Sequence, residues 1–573
     1  MYFPKEIVIT ISLLVFFAGT IFIVSPIFEN PTIPTFYISV SGIFILQIIS
    51  LIFSKKAEFK LSISEIIVIA FCVWNLFYIV LLERWNLNAC LSIIATILFY
   101  IFIRRERINF SVFCCGISII SLIQAILGIG QFFNYFPNFS GIFKIGGTFD
   151  NPAGFAAALS IAVPFSIKII NSKNIYKKSL GIISLLFSVV LIFFSNSRSG
   201  EISVVCIFIF FIFYKIKDSF VWKRYNIIII TLAIIGLMIF LYVLFFQKKD
   251  SAEGRLLIWG CTVDMITNKF FLGYGEGGFL ANYMDYQSRF FQKNPDSRYV
   301  VLADNVKHPF NEYLFFLSEH GILGIFFIIL FLFRFFKELK RNNSLDQICC
   351  LLCIVGCCIF GLFSYPLKYP YVKYVLLFAV ANIMNSEELI FIIKTSKIHK
   401  YLIIFIYLLL YGLSCYLFFL NFQWNKLAKK NLFSTSDMAI VQYETLYPYM
   451  KTDVFFLYNY AAVLNRSKEY IKSNEILLIS KSYLTDIDTE LLLADNYKQL
   501  NQYEDSEKCL KKASYMIPNR FIPLYNLLLL YEIKKDSINA KKVANEILNK
   551  QIKVDSYKVR QMKKRVRHDY PDL

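Results

Sequence analysis

The sequence predicts an all-α fold: a polytopic membrane helical bundle of about 12–13 spans, followed by a soluble C-terminal domain of helical repeats. Three observations predict it. The 573 residues are 57% hydrophobic, with a mean hydropathy of +0.55, which is more apolar than soluble domains are. The apolar residues gather into thirteen runs, each long enough or nearly so to cross about 30 Å of hydrocarbon. The closing stretch, 423–573, is polar, patterned as helices, and has no run long enough to span.

The runs lie near 7–28, 35–54, 63–83, 87–103, 110–134, 153–172, 179–195, 201–217, 224–246, 312–335, 347–366, 371–386 and 401–422. Residues 1–422 therefore form the membrane unit, with one long polar loop at 247–311. No small-residue cleavage site follows the first run, so it reads as a retained helix.

Basic residues in the short loops set the orientation. Lys55, Lys56 and Lys60 follow the second run, and Arg104, Arg105 and Arg107 the fourth. Lys173, Lys177 and Lys178 follow the sixth, and Lys215, Lys217, Lys223 and Arg224 the eighth. Lys337, Lys340 and Arg341 follow the tenth, and Lys394, Lys397 and Lys400 the twelfth. The alternation places the N-terminus in the cytoplasm, and the long loop and the tail on the outer side. The net charge of +20 is largely this loop charge, which meets anionic lipid headgroups and does not argue for nucleic acid. Nearly all 13 cysteines sit inside apolar runs, where a thiol behaves as a small hydrophobe. They outline neither a metal site nor a disulfide framework.

The tail repeats. Leu493, Tyr497, Ser506, Leu510 and Ala513 return 34 residues later as Leu527, Tyr531, Ala540, Ala544 and Ile547. An earlier copy, slipped by one residue, holds Tyr460, Leu464, Ser473 and Leu477. A 34-residue period of small and large packing positions resembles the tetratricopeptide repeat, a stack of helix pairs that cannot bury their faces singly. Such a stack either docks an acceptor or protein partner, or shields and positions the outer loop.

Four outer segments carry candidate chemistry. Gly146-Gly147-Thr148-Phe149-Asp150-Asn151-Pro152 precedes a span; Asn151 caps that helix or presents its N-terminus to an anion. Arg198, in a tight turn, either snorkels or pairs with Glu201, or else grips a phosphate with its fork of donors. Gly254-Arg255-Leu256-Leu257-Ile258-Trp259 sets Arg255 and Trp259 one turn apart on a surface helix. The glycines at 273, 275, 277 and 278 lack the Gly-Lys-Ser/Thr of a nucleotide loop and read as a bend or a close backbone approach. Last comes His308-Pro309-Phe310-Asn311-Glu312-Tyr313, leading through Glu319 to Gly321-Ile322-Leu323-Gly324. His308, one of four histidines, lies just ahead of a span beside Asn311 and Glu312.

Taken in order, these motifs resemble the O-antigen ligase family of lipopolysaccharide ligases, related polymerases and protein O-oligosaccharyltransferases, over roughly residues 60–385. The resemblance implies a metal-independent glycosyltransferase of the bacterial inner membrane that uses no cofactor. It would move a glycan from undecaprenyl pyrophosphate to an acceptor hydroxyl of lipid A core or protein. Arg198 and Arg255 would bind the leaving pyrophosphate, His308 would act as base or orient the acceptor, and Asn151, Trp259, Asn311 and Glu312 would line the substrate site. The family pattern places a His directly before Asn311, where this chain has Phe310; His308 matches an earlier His of some members. Glu312 and Glu319 are the fallback bases, ahead of His320. The extra span at 401–422 would carry the repeat domain to the periplasm. Competing readings are an O-antigen polymerase and a non-enzymatic transporter or scaffold for lipid-linked sugars. A transporter should show repeated spans and broken mid-membrane helices.

Overall fold

In lipid an apolar segment must close its backbone hydrogen bonds internally, and the helix is the open form that does so. A computed structural model describes residues 4–25, 27–28, 32–54, 58–82, 86–138, 143–216, 220–341, 344–394, 396–430 and 437–573. Lys55, Lys56 and Lys217, and the side chains of Lys60, Lys223 and Lys394, lie outside that description.

Nine helices come first: α1 (Lys5–Phe22), α2 (Thr32–Phe53), α3 (Ile63–Leu81), α4 (Leu87–Arg105), α5 (Phe110–Phe132), α6 (Pro152–Ile170), α7 (Ile175–Phe194), α8 (Arg198–Ile216) and α9 (Phe220–Gln247). The long loop holds α10 (Lys249–Asn268) and α11 (Gly278–Lys293). The bundle resumes with α12 (Glu312–Arg341), α13 (Leu345–Gly361), α14 (Pro370–Met384) and α15 (Lys397–Lys430). Eleven of these are long and apolar enough to cross a membrane. The runs expected at 347–366 and 371–386 form the shorter α13 and α14. The run at 401–422 is the middle of α15, which continues eight residues further.

Helix α6 is the central post. Its small residues Ala156, Ala157, Ala158 and Ala162 are buried and let α5, α7, α8 and α13 approach closely. Helix α9 is nearly all exposed, as a lipid-facing helix would be. At the end away from the long loop, β1 (Glu58–Leu61) pairs antiparallel with β2 (Phe391–Lys394). Beside them Arg104 bonds Glu65 at 3.3 Å and Glu387 at 3.7 Å, and Arg334 reaches Glu387 at 3.0 Å. Arg104 is thus an interior tie, not a headgroup contact.

Helix α12 breaks at Gly321 (φ +58°, ψ −162°). The loop's glycine segment repairs the break. Tyr274 and Gly275 N–H donate to the carbonyls of Ser318 and Glu319, while Ile322 and Leu323 N–H donate to Phe270 and Phe271, at 2.8–3.1 Å. A Cβ on Gly273 would stand 2.4 Å from the Glu319 carbonyl oxygen, and one on Gly321 2.4 Å from that of Phe271. The close approach expected of the glycines is therefore a backbone junction between loop and span.

The tail continues as α16 (Asp437–Met450), α17 (Val454–Arg466), α18 (Tyr470–Lys481), α19 (Ile487–Gln499), α20 (Tyr503–Met516), α21 (Ile522–Ile533), α22 (Ser537–Asn549) and α23 (Tyr557–Asp569). The repeat is structural. Ser473 Oγ donates to Ala461 O and Ser506 Oγ to Ala494 O, both at 2.8 Å. The intervening turns place Lys468, Asn501 and Lys535 in the left-handed region, at the same spacing. Lys563 caps the C-terminal end of α22 through the carbonyls of Leu548 and Lys550.

This stack is fixed to the long loop. Ile487, Ala513, Met516 and Ile517 share one core with Phe279, Tyr283, Met284 and Phe291. Asn519 Nδ2 donates to the carbonyls of Val300, Val301 and Ala303, and Gln287 Nε2 to those of Asp304 and Met516. Lys512 bridges Asp285 and Glu490 at 2.6 and 2.9 Å.

Candidate active site

Two chambers open at the loop end of the bundle, and Phe310 and Tyr365 line both. The larger encloses about 1180 Å³. Lys144, Arg198, Lys248 and Arg255 line it, and among the described residues no carboxylate does. The N-termini of α6 and α8 also face it, through Asn151–Ala153 and Ser197–Ser199, and add their positive dipole ends. Phe132, Phe143, Phe193 and Phe194 supply an apolar flank.

Arg198 makes no salt bridge with Glu201 among the described residues. It donates to Ser251 Oγ at 2.8 Å and to the carbonyls of Lys248 (3.3 Å) and Leu244 (3.4 Å). Lys248 Nζ donates to Asn196 O at 3.0 Å. Arg255 stands over the Phe310 ring, 5.6 Å from its centroid. Burial, with Arg198 beside it, lowers its pKa to about 10, so it remains charged at neutral pH. The same two causes lower the pKa of Lys248, with Glu201 opposing them and Arg255 adding to them. Glu201 is the acidic group that acts on Arg198 and Lys248, from outside the chamber lining, so three clustered cations against one carboxylate make a prepared anion site.

The smaller chamber encloses about 670 Å³. His308, Glu276, Asn305, Lys307 and Lys368 line one side, and Asp453, Phe455 and Tyr483 of the tail line the other. His308 stacks on Phe315 at 4.4 Å and lies 4.9 Å from the Tyr365 ring. Its Nδ1 is buried and has no hydrogen-bond partner among the described residues. Burial and the nearby Lys368 push its pKa down to about 3, so the imidazole is neutral at physiological pH.

Phe310 separates the two. It adopts φ +54°, which costs an aromatic residue about 1–2 kcal/mol and is retained where the surroundings fix it. Tyr365 donates nothing to it; its ring packs 5.3 Å away. The Tyr365 hydroxyl accepts from Asn151 Nδ2 at 2.8 Å, and Tyr369 accepts a second bond at 2.9 Å. Asp150 then takes Tyr369 OH and Lys368 Nζ at 2.8 and 3.0 Å.

Of the residues expected at the site, Arg198, Arg255 and Asn151 meet in the larger chamber and His308 lies across the shared wall. Asn151 both caps α6, through Ala153 and Gly154 N–H, and reaches the tyrosines. Trp259, Asn311 and Glu312 do not line either chamber. Trp259 Nε1 donates to Pro309 O at 3.0 Å; Asn311 takes the N–H groups of Tyr313 and Leu314; Glu312 takes that of Leu367 at 2.9 Å. They hold the His308 segment in place. Sequence reasoning passed over Lys248, Tyr365, Lys368 and Tyr369; the Tyr-Pro-Leu-Lys-Tyr-Pro stretch at 365–370, two tyrosines each before a proline, was the available signal.

Sequence reading pointed to no metal ligands, yet the break in α12 brings Glu276, Glu319 and His320 together, with one ligand atom from each within 4.8 Å of the others. No curated protein matches the chain. Residues 183–329, from within α7 to the middle of α12 and so a minority of the chain, match the family model described as O-Antigen ligase.

Proposed function

We propose that this protein transfers a glycan from undecaprenyl pyrophosphate to an acceptor hydroxyl at the periplasmic face of the bacterial inner membrane, with the N-terminus cytoplasmic and the tetratricopeptide-like tail periplasmic. One observation carries the reading: a chamber lined by four cationic residues, an aromatic flank and, among the described residues, no carboxylate adjoins a neutral histidine across one aromatic wall. The first chamber suits an amphiphile with an anionic head, and the match over 183–329 supports a lipid-linked glycan.

The acceptor oxygen attacks the anomeric carbon, the bond from that carbon to the pyrophosphate oxygen breaks, and the electron pair leaves with pyrophosphate. Arg198 and Arg255, with Lys248 beside them, stabilise that charge, the guanidiniums needing no proton because they are already cationic. Neutral His308 accepts the acceptor's hydrogen bond. A base this weak takes the proton late, after carbon–oxygen bond formation has made the acceptor oxygen strongly acidic. Asn151 and Tyr365 position the shared wall.

The test is the envelope glycan profile of a deletion strain complemented with wild type, Arg255→Ala or His308→Ala. Lost long-chain lipopolysaccharide with accumulating lipid-linked glycan identifies a ligase to lipid A core. Lost glycoprotein with intact lipopolysaccharide identifies a protein acceptor. Full complementation by both variants would overturn the reading and favour a transporter or scaffold.

A further inference from the structure

The junction between loop and broken span holds a cluster that the transfer reading does not use. Glu276 sits between Gly275 and Gly277 and is exposed toward the His308 chamber, while Glu319 and His320 end the first segment of α12, just before Gly321. One carboxylate oxygen from each Glu and a ring nitrogen of His320 all lie within 4.8 Å of one another. Independently, Glu319 is 2% exposed; the backbone N–H groups of Gly277 and Phe279 lie against its carboxylate, yet its Oε1 is buried with no hydrogen-bond partner within 3.5 Å among the described residues. A buried carboxylate oxygen left unpaired is expensive unless a cation or a proton satisfies it. No salt bridge within 4.0 Å reaches Glu276 or Glu319 among the described residues. Lys373 of α14 acts on Glu276 through space, but its ammonium donates to Ser92 Oγ at 3.4 Å and forms no salt bridge with either carboxylate. His320 is held by the rings of Phe71 and Phe316, at 5.3 and 4.6 Å, which fixes its plane beside the two carboxylates.

We propose that Glu276, Glu319 and His320 bind one divalent cation, which staples the glycine segment to the break in α12 at the edge of the His308 chamber. Two oxygens and one imidazole nitrogen suit Mn²⁺ or Zn²⁺, with water from the chamber completing the shell. Metal–ligand bonds of about 2.1 Å bring neighbouring ligand atoms to about 3.0–3.4 Å, so the three donors close by at most about 1.4–1.8 Å, within the reach of side-chain rotation. The junction supplies the rigidity: four backbone hydrogen bonds hold the two segments on which the ligands sit. The cation's role is structural, and the site stands whether or not the chain transfers glycans.

The experiment uses the purified full-length protein in detergent, stripped with chelator and titrated with Mn²⁺. Free Mn²⁺ is followed by electron paramagnetic resonance, and unfolding temperature is read in parallel. Wild type should take up one Mn²⁺ per chain, compete it off with Zn²⁺ and unfold at a higher temperature. Glu276→Gln and Glu319→Gln should each bind at least tenfold more weakly. Asp453→Asn, a carboxylate of the same chamber outside the cluster, should bind as wild type. Glu276 lies at the chamber edge, so its variant reports even if Glu319→Gln fails to fold. No uptake by wild type at neutral pH, or unchanged affinity in Glu276→Gln, would overturn the proposal in favour of two carboxyls sharing a proton.

Discussion

Replacing Gly321 with alanine should sever the junction between the long loop and the bundle. The residue has φ +58° and ψ −162°, a combination essentially reserved for glycine, and forcing alanine into it costs about 1–3 kcal/mol. The new methyl would also lie 2.4 Å from the Phe271 carbonyl oxygen and 2.7 Å from the Gly273 nitrogen. Both obstacles are backbone, so no side chain can swing away. Relief means parting the segments and losing some of the four bonds that cross between them, each contributing about 1 kcal/mol. Loss of two gives a total near 3–5 kcal/mol. Gly277 provides the internal control: it has φ +73° but open space around a Cβ, so Gly277→Ala carries only the left-handed penalty of about 1–2 kcal/mol. Thermal unfolding of the two purified variants in detergent measures the difference as a ranking, which does not require two-state behaviour. If Gly321→Ala unfolds together with Gly277→Ala, the backbone junction does not hold the loop as described.

Other outcomes follow from the same geometry. Arg255→Ala should lower turnover of lipid-linked glycan by about 10²–10³, with Arg255→Lys between it and wild type, because lysine keeps the charge and loses the fork; equal rates for all three would remove Arg255 from the reaction. His308 has its folded pKa lowered from 6.5 to about 3, so above pH 6.5 it is neutral folded or unfolded and affects stability little. As pH falls from 6.5 toward 3 the unfolded chain gains a proton that the folded one refuses, and stability drops by about 1.4 kcal/mol per pH unit; His308→Phe should lack this part of the acid sensitivity in pH-dependent melts. Lys468→Gly and Lys535→Gly relieve left-handed lysines in the tail turns and should each raise stability by about 0.5–1 kcal/mol in denaturant titrations. Asn519→Ala leaves the carbonyls of Val300, Val301 and Ala303 without their donor and should cost about 1–3 kcal/mol, seen as faster protease cleavage within 294–306.

The sequence by itself determined the apolar helices of the bundle, eleven of which are long enough to span and two, α13 and α14, shorter. Each span is written in a contiguous apolar run, and the hydrocarbon thickness alone decides how long that run must be. It also marked Arg198, Arg255 and His308, because charged or titratable residues beside apolar runs are scarce enough to stand out, and it marked the tail repeat, whose serine bond and left-handed turn recur with the period. Local pattern could not say which of two jobs a polar residue does. Asn311 and Glu312 look like site residues in sequence, and only packing shows them occupied by the N–H groups of Tyr313, Leu314 and Leu367. Tyr365 as the wall shared with Phe310, the tail's Asp453 and Phe455 facing His308, and the meeting of Glu276 with Glu319 and His320 join residues tens to more than a hundred positions apart. Such meetings depend on how the loop folds back onto a broken helix, and that is settled by close approach of backbones at Gly273 and Gly321, a property of the tertiary structure that no periodicity records.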